Sequence, residues 1–136
     1  MRYFFYGTLM DREVLAAVLG RVPPRLARPA TLAGYRRVFR AGASYPVLVP
    51  AAGEAVAGVV VEGLGEGDAR RLEAFEGSDY TPREVTVRLG GRPVPAWVFI
   101  PTPGVPVTSR RWAPSDWRRR YRRQYLRRIG RTGRTG

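Results

Sequence analysis

Between Pro23 and Ile100 the chain is a succession of β-prone runs punctuated by Gly and Pro, and a single helical stretch interrupts it. This order limits the fold more than any other feature. The runs are Ala30–Phe39, Ser44–Pro50, Glu54–Leu64, Glu84–Leu89 and Val94–Ile100, rich in Val, Tyr, Phe and Ile, the residues that fit a pleated and half-buried surface. Gly90-Gly91-Arg92 reads as the turn of a hairpin joining the last two, and Gly53, Gly58 and Gly63 leave room for bends or bulges. Strands that follow one another this closely, with two helices inserted, predict an α+β domain. Its sheet is expected to be mostly antiparallel, curved or closed into a small β-barrel, with flanking helices.

Ahead of the strands, Arg2–Tyr6 is an aromatic run that reads as a buried first strand and stops at Gly7. In Tyr6-Gly7-Thr8-Leu9 a glycine and a small hydroxyl residue let the backbone turn with its amides exposed. Such a turn suits a nest for a carboxylate or phosphate, and equally an ordinary strand-to-helix connection. Asp11 then caps a helix over Arg12–Leu19, whose Val14, Leu15, Val18 and Leu19 share one face, and Gly20 ends it. The helix inside the strand region starts from Asp68 as its cap, buries Leu72 and Phe75 three residues apart, and stops at Gly77. That places Glu76 at a helix-to-loop corner. There it is either a solvated helix-end glutamate or an acid turned into a cleft.

Composition decides how much weight Glu76 carries. The chain has no His and no Cys, and all 24 of its basic residues are Arg, so there is no Lys either. Histidine triads, thiolate nucleophiles, lysine Schiff bases and Cys/His zinc sites are excluded within one chain. An enzyme built from these residues has to move protons with a carboxylate or, less readily, a tyrosine. The apolar N-terminal stretch runs into Tyr6-Gly7-Thr8-Leu9 without a cleavage site, and no apolar run nears the roughly 20 residues of a membrane span, so a cytoplasmic location is expected.

The net charge of +13 is concentrated at one end. Residues 1–109 hold 13 Arg against 10 acids, whereas residues 110–136 hold 11 Arg against Asp116 alone. Pro114-Ser115-Asp116 signals a helix over about 114–129, in which Trp117, Tyr121, Tyr125 and Ile129 form an apolar stripe. Arg118, Arg119, Arg122 and Arg123 lie off the stripe and are expected in solvent. A nucleic acid or an anionic surface is a conceivable partner for that face, but no recognised binding motif accompanies the charge. Residues 1–129 are expected to form one domain, and 130–136 a disordered tail.

The order of motifs adds a further level. Tyr6-Gly7-Thr8-Leu9 after the first strand, Gly34-Tyr35, Tyr45-Pro46, the Gly58-Val59-Val60 strand, Phe75-Glu76-Gly77 and Tyr80 ahead of a Val-x-Val strand together resemble the gamma-glutamylcyclotransferase-like family over about residues 2–100. The resemblance implies a partly closed β-barrel with a substrate cavity, no cofactor, and a small gamma-glutamyl compound as substrate. It also implies that the amides of Tyr6, Gly7, Thr8 and Leu9 hold the substrate carboxylate, that Tyr45, Pro46 and Tyr80 contribute to the cavity, and that Glu76 is the general acid/base. The nucleophile is then the substrate's own α-amino group, which closes 5-oxoproline. A non-catalytic member that binds a small metabolite in the same cavity is the alternative within the family. Two departures stand out: Thr81-Pro82 separates Tyr80 from Arg83 where many relatives have one residue, and Phe99 stands where many have Tyr.

Overall fold

A computed structural model describes residues 1–132. The first strand, β1 (Tyr3–Phe5), has other strands on both edges and is buried on both faces, because it separates two apolar clusters. Alternation along it assigns the faces: Phe4 packs with Leu32, Val56, Val60, Val87 and Val98, while Tyr3 and Phe5 pack with the helices. A 3₁₀ turn, Thr8–Met10, then leads into α1 (Arg12–Leu19). Asp11 caps α1 as expected, its Oδ1 accepting from the amides of Glu13 and Val14 at 3.0 and 3.2 Å.

The next two strands are longer than the sequence pattern indicates. β2 (Arg28–Arg40) and β3 (Pro46–Val61) form one hairpin in register from Arg28↔Val60 to Phe39↔Pro46, with a bulge between Ala33 and Tyr35. The two runs expected at Ser44–Pro50 and Glu54–Leu64 are therefore a single strand. Pro50 and Gly53, which suggested a break, sit beside the bulge, where a missing ladder bond is tolerated. Gly58 serves close approach instead of a bend, since a Cβ there would lie 2.4 Å from the Phe5 carbonyl oxygen.

Helix α2 (Glu66–Glu76) starts two residues before Asp68, which acts from inside the first turn: its Oδ2 accepts from the Gly65 amide at 2.9 Å. Ala69, Leu72 and Phe75 are buried, and Gly77, at φ 75°, ends the helix. The second hairpin, β4 (Tyr80–Leu89) and β5 (Arg92–Pro101), pairs from Tyr80↔Pro101 to Leu89↔Arg92, so Tyr80 opens a strand that was expected to begin at Glu84. The sheet order is β3-β1-β5-β4-β2, and the β2–β3 pairing closes it into a five-stranded barrel. All its neighbours are antiparallel except β1 and β5.

A short strand without a sequence signal, β6 (Val107–Arg111), adds to the far half of β2. The C-terminal helix breaks at Tyr121 into α3 (Pro114–Arg120) and α4 (Arg122–Thr132). Trp117, Tyr125 and Ile129 are buried as the stripe requires, with the Tyr125 ring edge-on to Trp117 at 5.4 Å. Arg122 does not point into solvent with its neighbours, because it reaches Asp11 at 2.6 Å and Glu13 at 2.8 Å and ties α4 to α1. α4 also runs past residue 129. The remainder of the expected tail, residues 133–136, lies outside the described residues. No helix among the described residues is long and apolar enough to cross a membrane.

Candidate active site

One end of the barrel is where β1, β2 and β5 finish and where β3 and β4 begin. A cleft of about 420 Å³ opens there, with α2 supplying one wall and α4 another. All eight residues singled out from the sequence line it: Tyr6, Gly7, Thr8, Leu9, Tyr45, Pro46, Glu76 and Tyr80. Barrel geometry accounts for the convergence, since the ends of parallel β1 and β5 and the turn of the β2–β3 hairpin all lie at one rim.

Glu76 occupies the end of α2, half-buried, and no described residue donates a hydrogen bond to its carboxylate. Loss of water around the charged form pushes its pKa up to about 8. Tyr6 and Tyr80 stand close enough to feel that carboxylate, which adds to the rise that burial produces in both hydroxyls, Tyr80 to about 12. The Tyr6 hydroxyl is committed, donating to the Phe99 carbonyl oxygen at 2.7 Å. Phe99 thus contributes a buried ring to the cleft and a backbone acceptor below it.

The loop after β1 is held in place by its own turn. Met10 and Asp11 donate to the carbonyls of Gly7 and Thr8 at 3.0 Å each, while the amides of Gly7, Thr8 and Leu9 meet no acceptor among the described residues. These are the orphan donors that a helical start leaves. The buried Thr8 hydroxyl meets the Tyr125 hydroxyl at 3.1 Å, which fastens the loop to α4. Gly7 is required by its neighbour: a Cβ there would stand 2.9 Å from Cγ of Pro46.

Three side chains that sequence reasoning passed over shape the site. Arg37, half-buried and with no acid bonded to it, donates from Nη1 to the carbonyls of Tyr6 and Ala57, both at 2.9 Å, and from Nε to that of Trp112 at 3.3 Å. Burial lowers its pKa. Arg40 enters the cleft from the end of β2, with Nη2 on Asp79 at 2.7 Å, Nη1 on the Tyr80 hydroxyl at 3.4 Å and its guanidinium over the Tyr80 ring. The acid at Asp79 is the main reason its pKa rises. Arg83 is exposed on β4 and does not line the cleft, so the cleft's guanidinium comes from β2. The hairpin alignment held the signal for this, because it sets Arg40 beside Tyr45. Tyr125, read from sequence as packing only, also lines the cleft. Among the described residues no cluster of acids, His or Cys could hold a metal ion.

A small mixed barrel whose rim cleft is lined by the Tyr6–Leu9 loop and by a carboxylate to which no described residue donates defines a cyclotransferase-like fold class. Residues 3–119 match the family described as Gamma-glutamyl cyclotransferase, AIG2-like, and the chain belongs to it. AIG2-like protein C of Arabidopsis thaliana is 34% identical over 86 residues, 63% of this chain and 49% of that protein. AIG2-like protein D of the same plant is 34% identical over 86 residues, 63% and 55% of the two chains. The chain spans about half the length of these curated relatives. Among solved structures, one from Arabidopsis thaliana superposes with a TM-score of 0.69 at 23% identity, over 96% of this chain and 80% of that one. A gamma-glutamyl cyclotransferase superposes with a TM-score of 0.62 at 20% identity, over 79% and 68%. At such identities the structures speak for the fold alone.

Proposed function

We propose that the protein releases 5-oxoproline from a gamma-glutamyl compound, with Glu76 as general acid/base. The observation that carries this reading is a half-buried carboxylate to which no described residue donates, in a cleft also lined by a loop whose amides meet no described acceptor. The amides of Gly7, Thr8 and Leu9 would take the substrate's α-carboxylate, as the family resemblance implies, which sets the α-amino group toward Glu76. In the reacting complex the α-amine is free and Glu76 is ionised. The α-nitrogen bonds to its own γ-carbonyl carbon, and Glu76 takes the proton that this nitrogen sheds. The bond from that carbon to the leaving nitrogen then breaks as Glu76 returns the proton to it. No water is consumed, and the five-membered ring gains from the proximity of its two ends.

A pKa near 8 suits this exchange, because a shuttle works best when it holds and gives up a proton with similar ease at the working pH. The remaining contacts support positioning. Arg37 fixes the Tyr6 carbonyl at the root of the loop, and Thr8 with Tyr125 fixes its tip. Incubating the protein with gamma-glutamyl amines and gamma-glutamyl peptides and assaying 5-oxoproline tests the reading. Turnover by wild type and its loss in Glu76→Gln is the expected result; turnover that survives in that variant removes Glu76 from the mechanism.

A further inference from the structure

The leaving half of a substrate held in this way has a lined route out of the cleft on the α4 side. A second groove of about 400 Å³ adjoins it and shares Tyr45 and Tyr125 with it. The turn at residues 42–44 forms one side, and Tyr121, Gln124 and Arg128 of α4 form the other, with no carboxylate in the lining. Where the two spaces meet, Arg40 stands beside Tyr80 and Tyr45, with its Nε bonded to no described acceptor. Past the groove, Arg118, Arg119, Arg120, Arg123 and Arg127 are exposed on α3 and α4. The acids nearest them are taken: Asp116 by Arg119, and Asp11 and Glu13 by Arg122. Asp79 offsets Arg40 at the cleft end, but beyond it a leaving amine travels past arginines with no acid lining the groove. Lined clefts of one sign concentrate ligands of the opposite sign and repel those of their own.

We propose that the leaving amine is anionic: the substrate class is a gamma-glutamyl peptide whose leaving residue carries carboxylates, for which a γ-linked oligoglutamate has the matching chemistry. This rests on the cyclotransferase reading and names the substrate side of the same site. The first leaving carboxylate sits on Arg40, and the following ones lie along the groove toward α4. Each turnover forms the ring amide bond, breaks the first γ-amide bond, passes one proton from the α-nitrogen to the departing nitrogen, and releases a chain one glutamate shorter.

The test compares four substrates in the 5-oxoproline assay: γ-glutamyl-glutamate, a γ-linked triglutamate, uncharged γ-glutamyl-ethylamide and cationic γ-glutamyl-putrescine. The kcat/KM values are expected to fall in the order triglutamate, diglutamate, ethylamide, putrescine derivative, with about tenfold or more between diglutamate and ethylamide, a gap that narrows in salt. Arg40→Gln is expected to lower kcat/KM for the diglutamate much more than for the ethylamide, and Arg40→Lys to retain part of the preference. The combined variant Arg118→Gln, Arg119→Gln, Arg123→Gln and Arg127→Gln is expected to remove most of the triglutamate's advantage. Equal rates for the charged and uncharged substrates, or an equal loss for both in Arg40→Gln, overturns the anionic leaving group and leaves the cyclotransferase reading standing. No 5-oxoproline from any of the four overturns both.

Discussion

Two of the acids on helix α2, one near each end, are treated by the protein in opposite ways. Asp68, in the first turn, is buried and fully satisfied: Arg21 reaches both its oxygens, at 3.2 and 2.6 Å, and the Gly65 amide adds a third bond. The Arg21 bond is the main reason its pKa is lowered. Glu76, in the last turn, is half-buried with no donor among the described residues, and its pKa climbs to about 8. A carboxylate that the fold has neutralised contributes stability. One that the fold leaves unsatisfied sacrifices stability and keeps its proton exchangeable, which is a common signature of functional positions.

The largest expected break in this symmetry is at Glu76. Glu76→Gln keeps the shape but cannot titrate, so turnover is expected to drop by roughly 10²-fold or more. Stability moves the other way. Because the folded pKa is raised, the wild-type protein loses stability as pH rises from the unfolded value of 4.5 through about 8. Thermal melts at pH 9 are therefore expected to show the Gln variant more stable than wild type by roughly 5 °C, with the gap closing at pH 4.5. A Gln variant that melts lower at pH 9 would mean that the ionised carboxylate is satisfied after all.

A pH–rate profile sharpens the same contrast without mutation. Below pH 8, the Glu76 ionisation alone is expected to raise kcat/KM by about tenfold per pH unit. The substrate's ammonium group adds its own limb, and a substrate with a different α-amino pKa is expected to move that limb only. A profile whose enzyme limb sits near pH 4 returns Glu76 to the ordinary carboxylates.

At the other end of the helix the expected loss is in stability alone. Asp68→Asn is expected to cost about 1–3 kcal/mol at pH 7, toward the lower end because Arg21 is half exposed. The wild-type contribution is present above the unfolded pKa of 3.8 and vanishes as pH falls through the lowered folded value. Urea melts of the two proteins are therefore expected to converge in acid. Turnover at full folding is expected to be unchanged. The smallest effect is expected far from both acids: Arg118→Gln with Arg119→Gln should alter kcat/KM for the uncharged ethylamide by less than about twofold, since exposed charges act weakly on a neutral ligand.

The position of Glu76 at a helix end was legible because its signal is local, an apolar face and then a glycine, but its place in a site was legible only with the absence of His, Cys and Lys and the order of motifs. The loop at Tyr6–Leu9 was legible for the same reason. Arg37, Arg40 and Arg122 were not, since a chain whose every cation is Arg gives no local cue to which guanidinium folds inward. Their partners lie between 20 and 111 residues away. Strand β6 escaped because Val107-Thr108-Ser109-Arg110-Arg111 is mostly exposed at a sheet edge and shows no apolar alternation. The single long β3 was hidden by Pro50 and Gly53, which tell of a bulge as readily as of a loop.

Strand β1 has a consequence in time. It is made before the strands it pairs with, yet it lies between β3 and β5, and the hydroxyl of Tyr6 bonds to a carbonyl 93 residues downstream. On a ribosome one edge of its three residues can pair with β3 once the β2–β3 hairpin has emerged, but the other must wait, unpaired, until the β4–β5 hairpin follows. The loop that follows β1 can take up its place at the rim only when that wait ends. The cleft is thus among the last parts of the molecule to exist, and a nascent chain stopped short of β5 would carry Glu76 on a helix with no site around it.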